Sequence, residues 1–95
     1  MKVRKKVQVI YMQLKESQIQ ALQNQYPPGS RIKCIHLVDL ETLIPTGSLG
    51  IVEHVDHQGY IQTRWDNGQF ISLIPGVDSF MKVGNFYDRL RFIAR

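Results

Sequence analysis

The feature that most constrains this chain is the tetrapeptide Trp65-Asp66-Asn67-Gly68. An Asn-Gly pair readily takes positive φ at both central positions of a type I′ turn, which joins two antiparallel strands by a very short connection. The segments on either side, 60–65 and 69–74, are therefore predicted to form a hairpin. Alternation within the first segment places Ile61, Thr63 and Trp65 on one face of the sheet.

Further short strands surround this hairpin. Alternation or a short apolar run predicts strands over 31–36, 51–55 and 80–83. Turn signals separate them at Gly47-Ser48-Leu49-Gly50, Asp56-His57-Gln58-Gly59 and Pro75-Gly76. Short strands with turns at this regular spacing are typical of a closed all-β unit. The predicted fold is therefore mainly β, an SH3-like small barrel of five strands with a short N-terminal helix and short terminal extensions.

The segments before and after the barrel have different patterns. Residues 1–14 are predicted to be a basic extension, and 15–25 a helix with Ile19 and Leu22 on its apolar side. Tyr26-Pro27-Pro28-Gly29 ends this helix, since a proline disfavours the α conformation in the residue before it. The domain is predicted to occupy 15–83 and a tail 84–95. In the tail, Phe86, Leu90 and Ile93 have helical spacing, whereas Leu90 and Phe92 alternate, so helix and strand both remain open.

Composition narrows the class of protein. A chain of 95 residues with 43% hydrophobic and 21% charged residues is expected to form one globular domain. Its one cysteine, Cys34, allows no intramolecular disulfide and is typical of a reducing compartment. No apolar run approaches the roughly 20 residues that span a bilayer. We therefore expect a cytoplasmic protein without a membrane partner.

Charge is unevenly distributed along the chain. The formal net charge is +4, but residues 39–78 are strongly acidic and both ends are basic. A nucleic-acid-binding domain is more often basic across its folded centre. The basic residues at the N-terminus, either a phosphate-contacting arm or a solubilising tail, are Lys2, Arg4, Lys5 and Lys6. Of these two interpretations the solubilising tail is favoured.

Several residues could bind a metal, act as acids or bases, or hold a phosphate, but structural roles explain their positions better. Cys34, His36, His54 and His57 lack regular zinc-ligand spacing, and Cys34 lies on the core side of its strand. The acidic pairs, Asp39 with Glu41 and Asp56 with Asp66, fall in turns, where carboxylates cap backbone groups. Asp66 is expected to bond within its own hairpin. Gly47 and Gly50 have the spacing of a single-strand RNA clamp, but their context favours a tight turn. No enzymatic activity, metal or cofactor is predicted.

The predicted binding residues cluster around the hairpin. Small barrels of this kind often bind ligands on exposed aromatic side chains. Trp65 shares its face with Ile61, which favours the core, while Tyr60 and Phe70 are expected on the surface. The candidate binding residues are Tyr60, Arg64, Trp65, Asp66 and Phe70.

Residues 14–83 resemble a known family. The motifs that carry the likeness are Tyr26-Pro27-Pro28-Gly29, the loop Pro45-Thr46-Gly47-Ser48-Leu49-Gly50 and the hairpin Trp65-Asp66-Asn67-Gly68. In this order they resemble the family of domain of unknown function 4314, with Cys34 where leucine is expected. The resemblance implies an SH3-like build and an origin in phages and conjugative elements of Gram-positive bacteria. It implies no catalytic residues.

Three functions follow from these observations as expectations. The first is a non-catalytic module of a mobile element or phage that binds a protein partner and modulates a host or element-encoded complex. The second is an accessory protein that binds nucleic acid through its basic termini and exposed aromatics. The third is a structural homo-oligomer, a homodimer formed through residues 84–95.

Overall fold

A computed structural model describes residues 14–38, 40 and 42–85 of the chain. One helix, α1 (Glu16–Gln25), precedes four strands: β1 (Ser30–His36), β2 (Leu49–Val55), β3 (Ile61–Trp65) and β4 (Ser79–Asn85). The predicted mainly β fold with a short N-terminal helix is confirmed. The predicted structures of residues 1–13 and 86–95 lie outside the described residues. Among the described residues, no helix has the length and apolar character needed to cross a membrane.

The four strands form a single antiparallel sheet in the order β3-β2-β1-β4. The predicted strand over 69–74 lies alongside β3 as two separate pairings, Ile61 with Leu73 and Arg64 with Phe70, rather than as a continuous strand. Backbone hydrogen bonds nevertheless run along it, from Trp65 N to Gln69 O at 2.8 Å and from Leu73 N to Ile61 O at 2.8 Å. The hairpin predicted around Asn67-Gly68 is therefore present, but its turn is not the predicted one: Gly68 N bonds to Trp65 O at 2.9 Å, so Asp66 and Asn67 are the central residues and Gly68 follows them in a three-residue loop.

The sheet does not close into a barrel within the described residues. A tight turn separates the 69–74 segment from β4, with both Val77 N and Asp78 N bonded to Ile74 O. The buried carboxylate of Asp78 fixes this turn, since its oxygens accept bonds from Ile74 N at 2.8 Å and Val38 N at 3.0 Å. The strands lie where the sequence predicts them and form an open antiparallel sheet. This arrangement is consistent with an SH3-like build.

The core lies on one face of the sheet. Its buried apolar side chains come from β1, β2 and β3, from the loop between β1 and β2, and from the 69–74 segment: Ile32, Cys34, Leu37, Ile44, Val52, Val55, Ile61, Trp65, Ile71 and Leu73. Trp65 is 1% exposed, and its indole N–H donates to Ile71 O at 3.0 Å. Gly50 pairs with Trp65 across the sheet, and a Cβ there would lie 2.9 Å from the indole ring. The ring thus occupies space that a glycine leaves open.

Each side chain of the Trp65–Gly68 hairpin is tied to a different part of the fold. The Asp66 carboxylate forms a bidentate pair with the buried Arg31 guanidinium, at 3.0 and 2.9 Å. The Asn67 side chain donates to Leu43 O and accepts from Gln69 N. Gly68 has φ 90°, which an L side chain rarely adopts. The Asp66 carboxylate, which was expected to bond within its own hairpin, thus also reaches across to β1.

Helix α1 packs beside the sheet with no fully buried residue. Its first turn is capped by a bond from Lys15 N to Gln18 Oε1 at 2.8 Å. It ends at Tyr26, as the following Pro27-Pro28 predicts. The Tyr26 ring packs edge-on against Phe80 of β4, with centroids 5.8 Å apart. This contact, and a bond from Lys82 Nζ to Gln25 O at 2.9 Å, joins the end of the helix to β4.

Replacing Asp66 tests how strongly the hairpin depends on Arg31. Asp66→Ala would leave the guanidinium of Arg31 desolvated and without its carboxylate. We expect the free energy of unfolding to fall by about 2 kcal/mol, since charge-assisted bonds are lost at a buried cation. Chemical denaturation measures this loss. The control, Glu53→Ala at an exposed position of β2, should change stability by no more than about 0.5 kcal/mol. Equal losses in the two variants would contradict a structural role for the pair.

Candidate functional site: the outer face of the sheet

The pleat of the sheet divides its side chains into a core face and a second face, which we call the outer face. On β1, Ile32 and Cys34 are buried, whereas Lys33 and Ile35 point away from the core. Cross-strand partners share a face, so Met81 opposite Lys33 and Arg64 opposite Ile51 also lie on the outer face. Every large apolar side chain that is exposed in the described part of the chain lies on this face.

Three of these apolar side chains lie on β1 and β4, with Ile35 and Val83 on opposite sides of the pair formed by Lys33 and Met81. Ile35 is 46% exposed, Met81 48% and Val83 46%. β1 and β4 are hydrogen-bonded neighbours, about 4.8 Å apart. Lys33 lies directly opposite Met81 and adds a cation to the group. This combination is an apolar strip with a basic residue on a surface open to solvent.

The fourth exposed apolar side chain lies on the hairpin. Phe70 is 43% exposed and pairs with Arg64 across the hairpin, so an aromatic ring and a guanidinium are immediate neighbours. Ile51 and Leu49 of β2 are half-buried and lie between this pair and β1. The outer face therefore continues from Phe70 through β3, β2 and β1 to Met81.

The structure brings together only some of the predicted binding residues. Arg64 and Phe70 are adjacent and exposed, whereas Trp65 belongs to the core, as its alternation indicated. Asp66 is held by Arg31. Tyr60 is half-buried in the turn before β3, where its backbone N–H donates to Asp56 Oδ1 at 2.9 Å. The predicted N-terminal contacts, Lys2, Arg4, Lys5 and Lys6, lie outside the described residues.

Sequence reasoning missed Ile35, Met81 and Val83. The signal was present, because the predicted strand over 31–36 has Ile32 and Cys34 on one side, and the same alternation assigns Ile35 to the other. Met81 and Val83 likewise alternate with Phe80, which contacts the core. The exposed surface was therefore indicated by apolar residues that alternation assigns to the face opposite the core.

The residues considered for metal or acid–base chemistry are dispersed or engaged in turns. Among the described residues, no group of three His, Cys, Asp or Glu side chains could hold a metal ion. Asp56 forms the Asx turn expected of it, with its Oδ1 accepting from Gln58 N and Tyr60 N at 2.9 Å each. Its Oδ2 accepts from the Gln62 side chain at 2.8 Å. Gly47 lies in the predicted tight turn, which is closed by a bond from Ser48 N to Pro45 O at 3.0 Å. The absence of enzymatic activity stays a prediction.

A shallow groove lies beside α1. It has a volume of about 350 Å³ and lies between the helix and the turn before β3. Its apolar lining residues are Leu14 and Ile19, and the others are polar. These two residues stand at the N′ and N4 positions of α1, where apolar side chains commonly staple the start of a helix. The groove is therefore a feature of helix packing.

The family can be assigned at this point. A family model described as domain of unknown function (DUF4314) matches residues 15–83. The chain belongs to this family. Neither a curated protein nor a solved structure matches the chain. The matched region begins at the cap of α1 and ends within β4, so this DUF4314 domain includes the core and the described outer face.

The chemical reactivity of Cys34 provides a test of the assigned faces. The thiol is fully buried, and its Sγ lies 3.7 Å from Ile44 O. Burial raises the pKa of the Cys34 thiol, the nearby Asp78 carboxylate raises it further, and a backbone hydrogen bond at Leu37 partly opposes both. Both inaccessibility and a raised pKa disfavour reactive thiolate. We expect Cys34 to react with a thiol reagent only as fast as the domain opens.

A neighbouring cysteine supplies the control for this measurement. Lys33→Cys places a thiol on the outer face, next to Cys34 in the sequence, where it should react rapidly without denaturant. Mass spectrometry of the labelled protein then separates the two positions. Rapid labelling of Cys34 in the native protein would contradict the placement of this strand.

Proposed function

We propose that this chain is a non-catalytic binding module of a phage or other mobile element, and that it docks a protein partner on the outer face of its sheet. The observation that carries the proposal is the exposure of Ile35, Met81, Val83 and Phe70 on this one face. Isolated apolar residues are common on protein surfaces, but grouped ones mark interaction sites. Covering them with a partner removes apolar area from water, at about 25 cal/mol per Å².

The charges of the outer face define the partner further. Lys33 and Arg64 are exposed there, whereas the Arg31 guanidinium is already neutralised by Asp66. Glu53 of β2 is an exposed carboxylate in the same region of the sheet. A complementary partner presents apolar side chains to the strip on β1 and β4 and carboxylates to the two cations. Such complementarity mainly gives specificity and fast association.

The shape of the site supports binding over catalysis. The outer face is a sheet surface without a deep cavity, and its side chains offer no nucleophile beside a base. Flat surfaces with an apolar centre and a charged rim are typical of protein interfaces. The mobile-element setting is supported only by the family resemblance, and modulation of a host or element-encoded complex is the role that we propose in that setting.

A single nucleic-acid strand is the second candidate ligand. The pairing of Phe70 with Arg64 supports it, since a ring for base stacking and a cation for phosphate lie side by side. The basic N-terminal residues would add phosphate contacts. Binding of this kind weakens steeply with salt, whereas apolar docking does not. This difference in salt dependence distinguishes the two candidates.

Affinity capture with matched variants tests the proposed function. The tagged chain and the double variant Ile35→Glu/Met81→Glu are expressed in cells that carry the chain, and co-purified proteins are compared. Carboxylates in the apolar strip should abolish capture of the specific partner, because they would be buried without a counter-ion. Both positions are already exposed, so the melting temperature should be nearly unchanged.

The control is Gln20→Glu/Gln23→Glu on α1, which adds the same charge in the groove beside the helix. It should capture the partner as the unmodified chain does. Loss of capture with the helix variant alone would contradict docking on the outer face. Capture of nucleic acid alone, lost at high salt, would replace the proposal with the second candidate.

A further inference from the structure

Among the residues that the structure describes, the strand β4 has an unpaired edge. In the order β3-β2-β1-β4 it is the last strand, and no described residue pairs with its far side. Ser79, Met81, Lys82 and Val83 are all exposed, so the backbone along this edge is accessible. It contains no proline that would block pairing. Unpaired edges of this length are templates for another strand, and proteins usually protect or use them.

The opposite end of the sheet is different. There the 69–74 segment follows β3, and its residues from Ile71 to Ile74 are all buried. Access to that backbone is therefore restricted. Of the two ends of the sheet, β4 is the one that a further strand can reach.

The charge around this edge selects the kind of strand. Lys82 is exposed on β4 and Lys33 is exposed opposite Met81 on β1, whereas no carboxylate is exposed on the described parts of these two strands. The one acidic residue next to them, Asp78, is buried and bonded to backbone N–H groups. The residues nearest the edge are therefore cationic, and an acidic strand complements them.

We propose that β4 accepts an extended acidic peptide from the partner as an additional strand. This inference rests on the proposed function and identifies how the partner binds the β4 end of the outer face. Main-chain hydrogen bonds supply affinity in this mode, and alternate side chains supply specificity. Residues opposite Met81 and Val83 lie on the outer face and are apolar. The residue between them, opposite Lys82, lies on the other face and is acidic.

The position of Lys82 fits this pattern. It pairs with Ile32, so it points to the core side of the sheet, at the end of α1. Its ammonium group is held at 2.9 Å from Gln25 O, which leaves two of its three donors for a carboxylate. The peptide recognised is therefore apolar, acidic and apolar in succession.

Neither a second copy nor the chain's own termini fit this edge as well. Two copies joined at β4 would bring two sets of Lys33 and Lys82 together. The C-terminal segment contains Arg89, Arg91 and Arg95 against Asp88, and residues 1–14 contain Lys2, Arg4, Lys5 and Lys6 without a carboxylate. Like charges placed opposite one another on adjacent strands are destabilising. An acidic peptide from another protein avoids this repulsion.

Titration of the full chain with designed peptides, followed by backbone amide NMR, tests the inference. The probe is a capped peptide of about nine residues that alternates valine and glutamate, long enough to cover β4. We expect shifts centred on residues 79–85 and an affinity roughly tenfold above that of the valine–lysine analogue. Methylating the backbone nitrogens that face β4 should abolish binding, since it removes main-chain donors.

Charge reversal supplies the decisive control. Lys82→Glu should reverse the preference, so that the valine–lysine peptide binds better, whereas Lys15→Glu makes the same charge change at the far end of α1 and should leave the preference intact. Equal affinity for both peptides, binding that survives N-methylation, or no shift on β4 would overturn the inference. Shifts on β4 that depend on protein concentration without peptide would overturn it in favour of a second copy.

These outcomes are separable from those of the proposed function. If the peptides fail to bind β4 but glutamates in the apolar strip still abolish partner capture, the outer face docks a partner without strand addition. If the peptides bind as expected but capture is insensitive to the outer face, β4 is a strand acceptor and the proposed function is wrong in its docking surface.

Discussion

The ion pair between Arg31 and Asp66 joins β1 to the hairpin turn that follows β3. Arg31 lies on β1, and Asp66 follows β3 at the hairpin turn. The pair crosses over β2, which separates these strands in the sheet order. The arginine side chain is 8% exposed and the aspartate side chain 53%, so the cation is desolvated while the anion stays partly hydrated. Because a buried guanidinium without a counter-ion is costly, the pair holds the hairpin turn in place relative to β1.

The two faces of the sheet differ in burial. The core face holds Trp65 and the aliphatic core, and the indole occupies the gap above Gly50. The outer face carries the exposed apolar strip on β1 and β4 and the pair of Phe70 with Arg64 on the hairpin. A small domain of this kind has little interior to spare for a catalytic cavity. The outer face and the edge of β4 are therefore the surfaces on which we propose binding.

Much of this fold could be predicted from local sequence, because local sequence encodes turns. The hairpin at Asn67-Gly68, the end of α1 before Pro27 and the core position of Trp65 each depend on residues close in the chain. The partner of Asp66 could not be predicted, since Arg31 is 35 residues away and only the assembled sheet brings it close. The bond that holds the turn before β4 could not be predicted either, since Asp78 accepts it from Val38, 40 residues away. The exposure of Ile35, Met81 and Val83 could have been predicted from strand alternation, which places them on the face opposite the core.

Site-specific photocrosslinking tests directly whether the outer face is the docking surface. A photoreactive amino acid is placed at Met81 or Phe70 on the outer face, and at Gln20 or Gln23 on α1, in cells that carry the chain. We expect one discrete protein adduct, of the same partner, from the two outer-face positions and none from the helix. Adducts from the helix positions alone, or adducts with nucleic acid in place of protein, would contradict it.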